Sequence, residues 1–190
     1  MYEIVKTFAG WLHTVKDPVS YLGAKLPYML FSESDLQWPM TETFFPKEAS
    51  MQIKEYDLIM NAGSPNVWHE GTKNWTLAVS CFEKLLDEMP HLKILVVGRE
   101  PPDHLKGRLL HVNFIEFPVF LTKIARSKIL FVPSYSDASP RVITQALYLN
   151  TSIVVNEGII GGWKYVNNET GASFIDENDI VEVVKRVLAS

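Results

Sequence analysis

The sequence lacks several features that would assign a protein to a class at once. It has one cysteine, Cys81, so an intrachain disulfide is impossible and a reducing compartment is expected. No apolar run reaches the roughly 18–20 residues of a membrane span. The formal net charge of −4 argues against nucleic-acid binding, which needs a basic surface. The first residues, MYEIVKTFAGWLHTV, lack the layout of a cleavable signal. We therefore expect a cytoplasmic protein without a membrane span or a nucleic-acid partner.

Common catalytic signatures are also missing. The sequence contains neither a P-loop nor a G-x-S-x-G motif. His69 and Glu70 are adjacent, but no third ligand follows at metal-binding spacing, so no metal site is predicted. A chain of 190 residues that is 47% hydrophobic suits one globular domain with an appended segment.

The larger part of the chain, residues 51–190, alternates two kinds of pattern. Short runs that are apolar on both faces alternate with segments of helical period, which predicts a doubly wound α/β domain: a mostly parallel sheet with helices on both faces. Ligands bind such sheets at the carboxyl ends of the strands. The predicted strands are YDLIMNAG, HLKILVVGR, HVNFIEF, KILFVP and SIVVN, and the predicted helices are KNWTLAVSCFEKLLDEM, PVFLTKIARS, PRVITQALYLN and ENDIVEVVKRVLAS.

Residues 1–50 have a different character and are rich in aromatics and proline. YMLFS suggests a strand, and SDLQWPMTETFFP suggests an extended connector. Fifty residues are too few for a second full domain. We interpret them as an N-terminal segment and connector that precede the α/β domain.

The stretch SYSDASPRVITQALYLN, residues 134–150, follows a predicted strand directly. We expect Ser139 to cap a helix that starts at Pro140, because serine is favoured at the cap and proline at the first helical position. The free amides of that first turn would then form an anion site at the strand ends. The alternative is that Ser-Pro only starts a helix.

Charged and amide side chains surround this predicted anion site. Asp137 precedes the cap, Arg141 lies in the first turn, and Gln145 follows about two turns after Asp137. An acid beside an anion site is useful when the ligand also carries hydroxyl groups. A nucleotide sugar has both a diphosphate and sugar hydroxyls, so this class of ligand fits the pattern.

A second strand end lies in NAGSPNVWHEGTKNW. Gly63 and Ser64 would let a ligand approach the backbone closely, and Lys73 is expected to open the next helix. A lysine in a first helical turn opposes the macrodipole, so another interaction should hold it. One ammonium 4 Å from a charged oxygen gains about 4 kcal/mol gross at an effective dielectric of 20, against about 0.3–2 kcal/mol for a helix N-terminus. Lys73 would then be the dominant phosphate contact, unless it is simply a solvated surface lysine.

A third loop, NEGIIGGWKYVNNETG, follows the predicted strand SIVVN. Gly161 and Gly162 would permit a tight turn near the sugar. The alternative is a plain loop without a binding role.

These residues together resemble a known family. The spacing Asp137-x7-Gln145 resembles the E-x7-E signature of retaining GT-B glycosyltransferases of family 4. GSPNVWHEGTKNW is similar to that family's G-R…K-G segment, SDLQWPMTETFFP to its interdomain connector, and GGWKYV…TG to its Gly-Gly loop. The resemblance covers residues 30–190, which correspond to the donor-binding half of such an enzyme and the tail of the other half. The variant is similar to glycosyltransferases of algae and of large DNA viruses that infect algae.

The resemblance implies a function and roles for individual residues. It implies transfer of a hexose from a UDP- or GDP-linked sugar to a glycan acceptor, with retention and without a metal or other cofactor. Asp137 would lie against the donor sugar, Gln145 would hold the ribose diol and Lys73 would neutralise the diphosphate. The base would bind near residues 115–118, where Phe117 lies, and the turn formed by Ser139, Pro140 and Arg141 would assist the diphosphate.

The sequence departs from the family in three respects. Gln145 replaces a carboxylate, and a neutral hydrogen bond is roughly half as strong as a charge-assisted one. The family's arginine before the lysine is missing, and Arg99 or Arg141 is the candidate to replace it. An acceptor-binding half is also absent, which favours an alternative function: a non-catalytic nucleotide-sugar-binding or assembly module that needs a partner domain. A flavodoxin-like regulator is a third hypothesis. It would need an acidic cluster at the first strand end, and the residues there, NAGS, contain no acid.

Overall fold

A computed structural model describes residues 9–22, 27–45, 53–64 and 66–190. The start of the chain, on which the expected localisation rested, and the end of the 1–50 segment lie outside the described residues. The strands are β1 (Trp11–His13), β2 (Tyr28–Leu30), β3 (Tyr56–Gly63), β4 (Ile94–Gly98), β5 (Leu110–Val112), β6 (Ser127–Val132), β7 (Ser152–Asn156) and β8 (Gly171–Phe174). The α-helices are α1 (Pro18–Leu22), α2 (Gln37–Phe44), α3 (Val67–Lys73), α4 (Trp75–Glu88), α5 (Phe117–Ala125), α6 (Arg141–Tyr148) and α7 (Ile180–Ala189).

Six strands form one sheet in the order β5-β4-β3-β6-β7-β8. Every neighbouring pair is parallel. The predicted doubly wound α/β fold is therefore confirmed. The chain runs from β3 outward to β5 on one side and from β6 outward to β8 on the other, so the strand order reverses between β3 and β6. This is the position at which such sheets form a ligand crevice.

The strands are apolar on both faces because both faces carry helices. Leu58 and Met60 of β3 belong to one buried cluster, together with Phe82 of α4 and residues of α7. Ile59, between them, belongs to a second cluster with residues of α5 and α6. Successive side chains of a strand point to opposite faces, so one run of apolar residues supplies both cores.

The segment predicted to be an extended connector is helical. Residues 33–36 form a 3-10 turn, Glu33–Leu36, and α2 follows directly. The turn is stabilised at its start because the Ser32 amide donates to Asp35 Oδ2 at 2.8 Å. Pro39 had suggested an extended chain, but it lies in the first turn of α2, where no intrahelical acceptor exists for the missing N–H.

Four further strands and helices were not predicted: β1, α1, α3 and β8. The region of α3 was expected to be a loop. The strand HVNFIEF was expected to reach residue 117, whereas β5 ends at Val112. Among the described residues, every helix is too short or too polar to cross a lipid bilayer.

Candidate functional site

A cleft of about 700 Å³ lies at the carboxyl ends of β3, β4 and β6, where the strand order reverses. Asn61 of β3 and Val97 of β4 contribute to its floor. The side chains that line it combine two cations, two acids, amides and an apolar wall. They are Glu33, Met40, Asn61, Lys73, Val97, Phe114, Ile115, Phe117, Phe120, Asp137, Ser139, Pro140, Arg141, Val142 and Gln145.

Lys73 and Asp137 form an ion pair in this cleft. Lys73 Nζ lies 3.2 Å from Asp137 Oδ2, and the two side chains are 22% and 20% exposed. The sequence predicted that another interaction holds Lys73, and Asp137 supplies it. The predicted helical position was wrong, because Lys73 ends α3 instead of opening α4. A cation in a last helical turn agrees with the macrodipole.

Asn74 makes this position of Lys73 possible. It adopts a left-handed conformation, with φ of 50°, between α3 and α4. Its side-chain amide donates to the Pro133 carbonyl at 3.1 Å, just after β6. The end of α3 is thereby tied to the loop that carries Asp137, which lies 64 residues away in sequence.

The Asp137 carboxylate is oriented by its own loop. Its Oδ1 accepts a hydrogen bond from the Ser139 amide at 3.2 Å, while Oδ2 faces Lys73. The Asp137 carbonyl accepts from the Gly161 amide at 2.9 Å. Asp137 is thus held on three sides and presents its carboxylate to the cleft.

Ser139 does not cap the following helix as the sequence predicted. Helix α6 begins at Arg141, Pro140 occupies the cap position, and no side chain caps the helix. The Ser139 hydroxyl instead accepts a hydrogen bond from the Ser34 amide and contacts the Ser34 hydroxyl, both at 3.0 Å. A partner distant in sequence therefore competes successfully with local capping.

Arg141 and Gln145 both line the cleft from α6. They are four residues apart and so lie on one face of the helix. Arg141 Nη1 lies 3.4 Å from Glu33 Oε1, in a pair that is more than half exposed. Gln145 is only 5% exposed. Helix α6 therefore places an exposed cation and a buried amide along the same wall.

The other wall of the cleft is apolar. Phe114 and Ile115 lie between β5 and α5, and Phe117 begins α5. This is the region in which the resemblance places the nucleotide base. The Phe117 ring packs edge-to-face against Phe44 of α2, with 5.5 Å between centroids. An aromatic and aliphatic wall of this kind offers contact area to a flat ring.

Five predicted site residues do not line the cleft. Gly63 ends β3 with φ of 68°, and its carbonyl packs where a Cβ on Gly98 would lie, at 2.3 Å. Ser64 is exposed just beyond it. Arg99 lies 3.4 Å from Glu70 and stacks over the Trp75 ring at 5.3 Å, so it stabilises the α3–α4 region instead of reaching the cleft.

The other two, Gly161 and Gly162, lie directly behind the cleft loop. A Cβ on Gly161 would be 1.9 Å from the Ala138 carbonyl oxygen. Gly162 has φ of 86°, and a Cβ there would be 2.6 Å from Pro140 Cγ. These glycines allow the loop 137–140 to pack closely against residues 161–162. They support the residues that line the cleft but do not line it themselves.

The cleft is also lined by residues that were not predicted to belong to the site, among them Asn61, Glu33 and Met40. Asn61 ended an apolar run and could have been identified as a strand-end polar residue. Its Oδ1 accepts from the Gly63 amide at 3.1 Å. Glu33 and Met40 come from the N-terminal segment, and only the folded chain brings them to α6.

Asp35 fastens this N-terminal segment to residues 161–165, which we call the glycine loop. Its carboxylate accepts from Lys164 Nζ at 2.6 Å and from the Tyr165 hydroxyl. Burial alone would raise the pKa of Asp35, but the hydrogen bonds from Lys164, Tyr165 and the Ser32 amide outweigh it and lower that pKa. Burial, assisted by the bond to Asp35, raises the pKa of the Tyr165 phenol.

Within the part of the chain that the structure describes, no group of three or more His, Cys, Asp or Glu side chains comes together in a way that could hold a metal ion.

Solved structures show which proteins share this architecture. Sucrose-phosphate synthase from Thermosynechococcus elongatus matches 100% of this chain with a TM-score of 0.65 at 14% identity. WaaG, a glycosyltransferase involved in lipopolysaccharide biosynthesis, matches 94% with a TM-score of 0.56 at 12% identity. The pneumococcal O-GlcNAc transferase GtfA, solved in complex with UDP and GlcNAc, matches 98% with a TM-score of 0.59 at 10% identity. No protein-family model matches the sequence, and no curated protein sequence matches it either.

The region that this chain matches is only a part of each of these longer proteins. The chain spans 53% of WaaG, 51% of sucrose-phosphate synthase and 39% of GtfA. The neighbours are glycosyltransferases of the GT-B type. This chain has the fold of one Rossmann-like half of a GT-B glycosyltransferase.

Proposed function

We propose that the chain is the donor-binding domain of a glycosyltransferase that uses a nucleoside-diphosphate sugar. The observation that carries the proposal is the convergence of Lys73, Asp137 and Arg141 on one cleft at the point where the strand order reverses. Two cations match a diphosphate, and an acid matches sugar hydroxyls. GtfA, which shares the fold, was solved with UDP and GlcNAc.

The lining of the cleft suggests an orientation for the donor. Lys73 and the first-turn amides of α6 would bind the diphosphate, because a helix N-terminus favours negative charge. Gln145 would contact the ribose, and the wall around Phe117 would pack against the base. Asp137 would hydrogen-bond the hexose.

The ion pair between Lys73 and Asp137 would be rearranged when the donor binds. The diphosphate brings its own negative charges to Lys73, so the ammonium no longer depends on Asp137 for neutralisation. The Asp137 carboxylate then accepts hydrogen bonds from sugar hydroxyls. In the ligand-free protein each group satisfies the other, which lowers the cost of keeping two charges partly buried.

The proposed chemistry is electrostatic. The bond between the anomeric carbon and the diphosphate oxygen would break, and the nucleoside diphosphate would leave. A glycan hydroxyl would form the new glycosidic bond with retention and would give its proton to the departing diphosphate. Lys73 and Arg141 would stabilise the charge that builds on the leaving group. Since they supply two positive charges, we expect donor binding to persist in a metal chelator. No side chain is assigned as a nucleophile.

A thermal-shift screen tests the proposal directly. UDP, GDP and their hexose conjugates are added to the chain in a chelator, with the corresponding nucleosides as controls without phosphate. A ligand at 100 times its dissociation constant stabilises the native state by about 2.7 kcal/mol, which gives a readily measured rise in Tm. We expect one nucleoside diphosphate series to raise Tm and the nucleosides to leave it unchanged. No shift with any diphosphate would contradict the proposal.

The alternative is a non-catalytic nucleotide-sugar-binding module that works with a partner domain. The neutral Gln145 favours it. So does the apolar surface of the N-terminal segment, where Leu12, Met29 and Trp38 are more than half exposed. Donor hydrolysis or transfer, measured beside binding, separates the two functions. Binding without turnover, even with glycan acceptors added, would support the module.

A further inference from the structure

The cleft contains an acid, Glu33, for which the sequence predicted no role. Gln145 offers a ribose one neutral acceptor oxygen, whereas a carboxylate accepts from two hydroxyls with charge assistance. Glu33, from the N-terminal segment, lines the same cleft. Its place in the structure makes it a candidate to supply the missing carboxylate.

The backbone beside Glu33 is clamped to the first turn of α6. The Ser34 amide donates to Ser139 Oγ at 3.0 Å, and the two hydroxyls are also 3.0 Å apart. The Ser34 carbonyl accepts from Thr144 Oγ1 at 2.9 Å. Ser34 itself is only 1% exposed. Glu33 is therefore presented to the cleft from a fixed position, although it is distant from α6 in sequence.

The Glu33 carboxylate is free to change partner at little cost. Its contact with Arg141 is 3.4 Å long and both side chains are more than half exposed, at 62% and 56%. An exposed pair of this kind contributes little to stability. Asp137, by contrast, is engaged by Lys73 and by the Ser139 amide. Among the described residues that line the cleft, Glu33 is the only other carboxylate.

Arg141 relates Glu33 to Gln145 within the cleft. Arg141 and Gln145 are four residues apart on one helix face, and Glu33 contacts the guanidinium of Arg141. Building on the proposed function, we propose that Glu33 accepts hydrogen bonds from the ribose hydroxyls of the nucleoside diphosphate, next to Gln145.

Calorimetry with three probes tests this role. The probes are the nucleoside diphosphate that binds best, its 2′,3′-dideoxy counterpart and inorganic pyrophosphate. The variants are Glu33→Gln and, as a matched control, Glu42→Gln, an exposed glutamate of α2 that does not line the cleft. We expect Glu33→Gln to weaken the ribonucleotide about tenfold, the loss typical of one hydrogen bond to a charged group. Binding of the dideoxy compound and of pyrophosphate should not change, and Glu42→Gln should bind all three as wild type does.

Three outcomes would overturn the assignment. Unchanged binding of the ribonucleotide by Glu33→Gln would remove Glu33 from the site and leave the proposed function intact. An equal change for all three probes would show that Glu33 acts on the diphosphate through Arg141 and not on the ribose. Wild-type protein that binds none of the probes would overturn both this assignment and the proposed function. Because Glu33 is exposed, the variant should unfold at the wild-type temperature, and the Tm checks this.

Discussion

At the scale of single residues, the proposed site depends on the ion pair between Lys73 and Asp137. Lys73 ends helix α3 and Asp137 lies in the loop after β6. Asn74 and Ser139 each hold one of these side chains in place. A mobile surface lysine would lose side-chain entropy on binding a ligand. Lys73 is already ordered by Asp137, so less of that entropy remains to be lost.

Ser139→Ala separates a structural role from a binding role. The Ser34 amide would lose its acceptor, and an unsatisfied, partly buried donor costs about 1–3 kcal/mol. We therefore expect chemical denaturation to show a lower free energy of unfolding by about 1 kcal/mol or more. Affinity for a nucleoside diphosphate should change far less than it does in Lys73→Ala.

Ser80→Ala is the matched control for this substitution. The Ser80 hydroxyl makes a 3.4 Å bond to Thr76 within α4, on the exposed side of the helix. Its removal should leave the free energy of unfolding almost unchanged. Equal stability of the Ser139 and Ser80 variants would show that the link to Ser34 contributes nothing.

Sequence reasoning located the cleft residues with unequal success. It brought Lys73, Asp137 and Gln145 to the strand ends because residues after parallel strands must meet at one edge of the sheet. It misplaced the role of Ser139, since local capping preference could not reveal Ser34. It missed Glu33 for the same reason: the contact with α6 is made across more than 100 residues of sequence.

At the scale of elements, two short segments support the loop that carries Asp137. The turn Glu33–Leu36 contacts α6 through Ser34, and the glycine loop packs behind residues 137–140. Asp35 joins these two supports through Lys164 and Tyr165. The cleft is therefore shaped by elements that do not themselves contribute its charged pair.

Gly162→Ala tests the support from the glycine loop. The new Cβ would lie 2.6 Å from Pro140 and 2.7 Å from Ile143, in a residue with φ of 86°. Gly107→Ala is the matched control, since Gly107 has φ of 81° but nothing within 4 Å of its Cβ position. The control should lose about 1–2 kcal/mol for the left-handed backbone alone. Gly162→Ala should lose more and also weaken nucleoside diphosphate binding; equal losses in both variants would contradict the close packing.

Asp35→Asn tests the connection between the supports through its pH dependence. The pKa of Asp35 is lowered in the folded state, so its stabilisation is fully present above the unfolded value of 3.8 and is lost as pH falls through the lower folded value. Denaturation at pH 7 should show a loss of about 1 kcal/mol in the variant. The difference from wild type should shrink as the pH is lowered below 3.8.

Asp103→Asn is the control for this pH dependence, because Asp103 pairs with Lys106 on the open surface. That variant should differ from wild type far less than Asp35→Asn does at every pH, because an exposed ion pair contributes little to stability. A loss in Asp35→Asn that does not vary with pH would show that packing, and not charge, explains the effect.

The helices and strands were predicted correctly where the hydrophobic period and the length of the segment were clear. The apolar spacing in α4 and the two-sided apolar runs of β3, β4, β6 and β7 sufficed, because each pattern is typical of one structure. The 3-10 turn and α2 were mistaken for an extended connector. Their start depends on the contact between Ser32 and Asp35, and their proline is tolerated only because of its place in the first turn.

For the whole molecule, topology accounts for where the cleft lies. Chain connections that run outward on both sides from β3 and β6 leave a crevice between the loops that follow those strands. The alternation of strands and helices was sufficient to predict this arrangement. The packing of the N-terminal segment against α6 was not predictable, because its apolar residues show no regular period.

The most direct test of the account is calorimetric titration of a nucleoside diphosphate into wild type, Lys73→Ala and Lys84→Ala. Lys84 is an exposed lysine of α4 that does not line the cleft. The account predicts binding by wild type and Lys84→Ala, and at least about tenfold weaker binding by Lys73→Ala, the loss expected for one charged hydrogen bond. Equal affinity of all three proteins, or the absence of binding by wild type, would contradict the claim that Lys73 holds the diphosphate in this cleft.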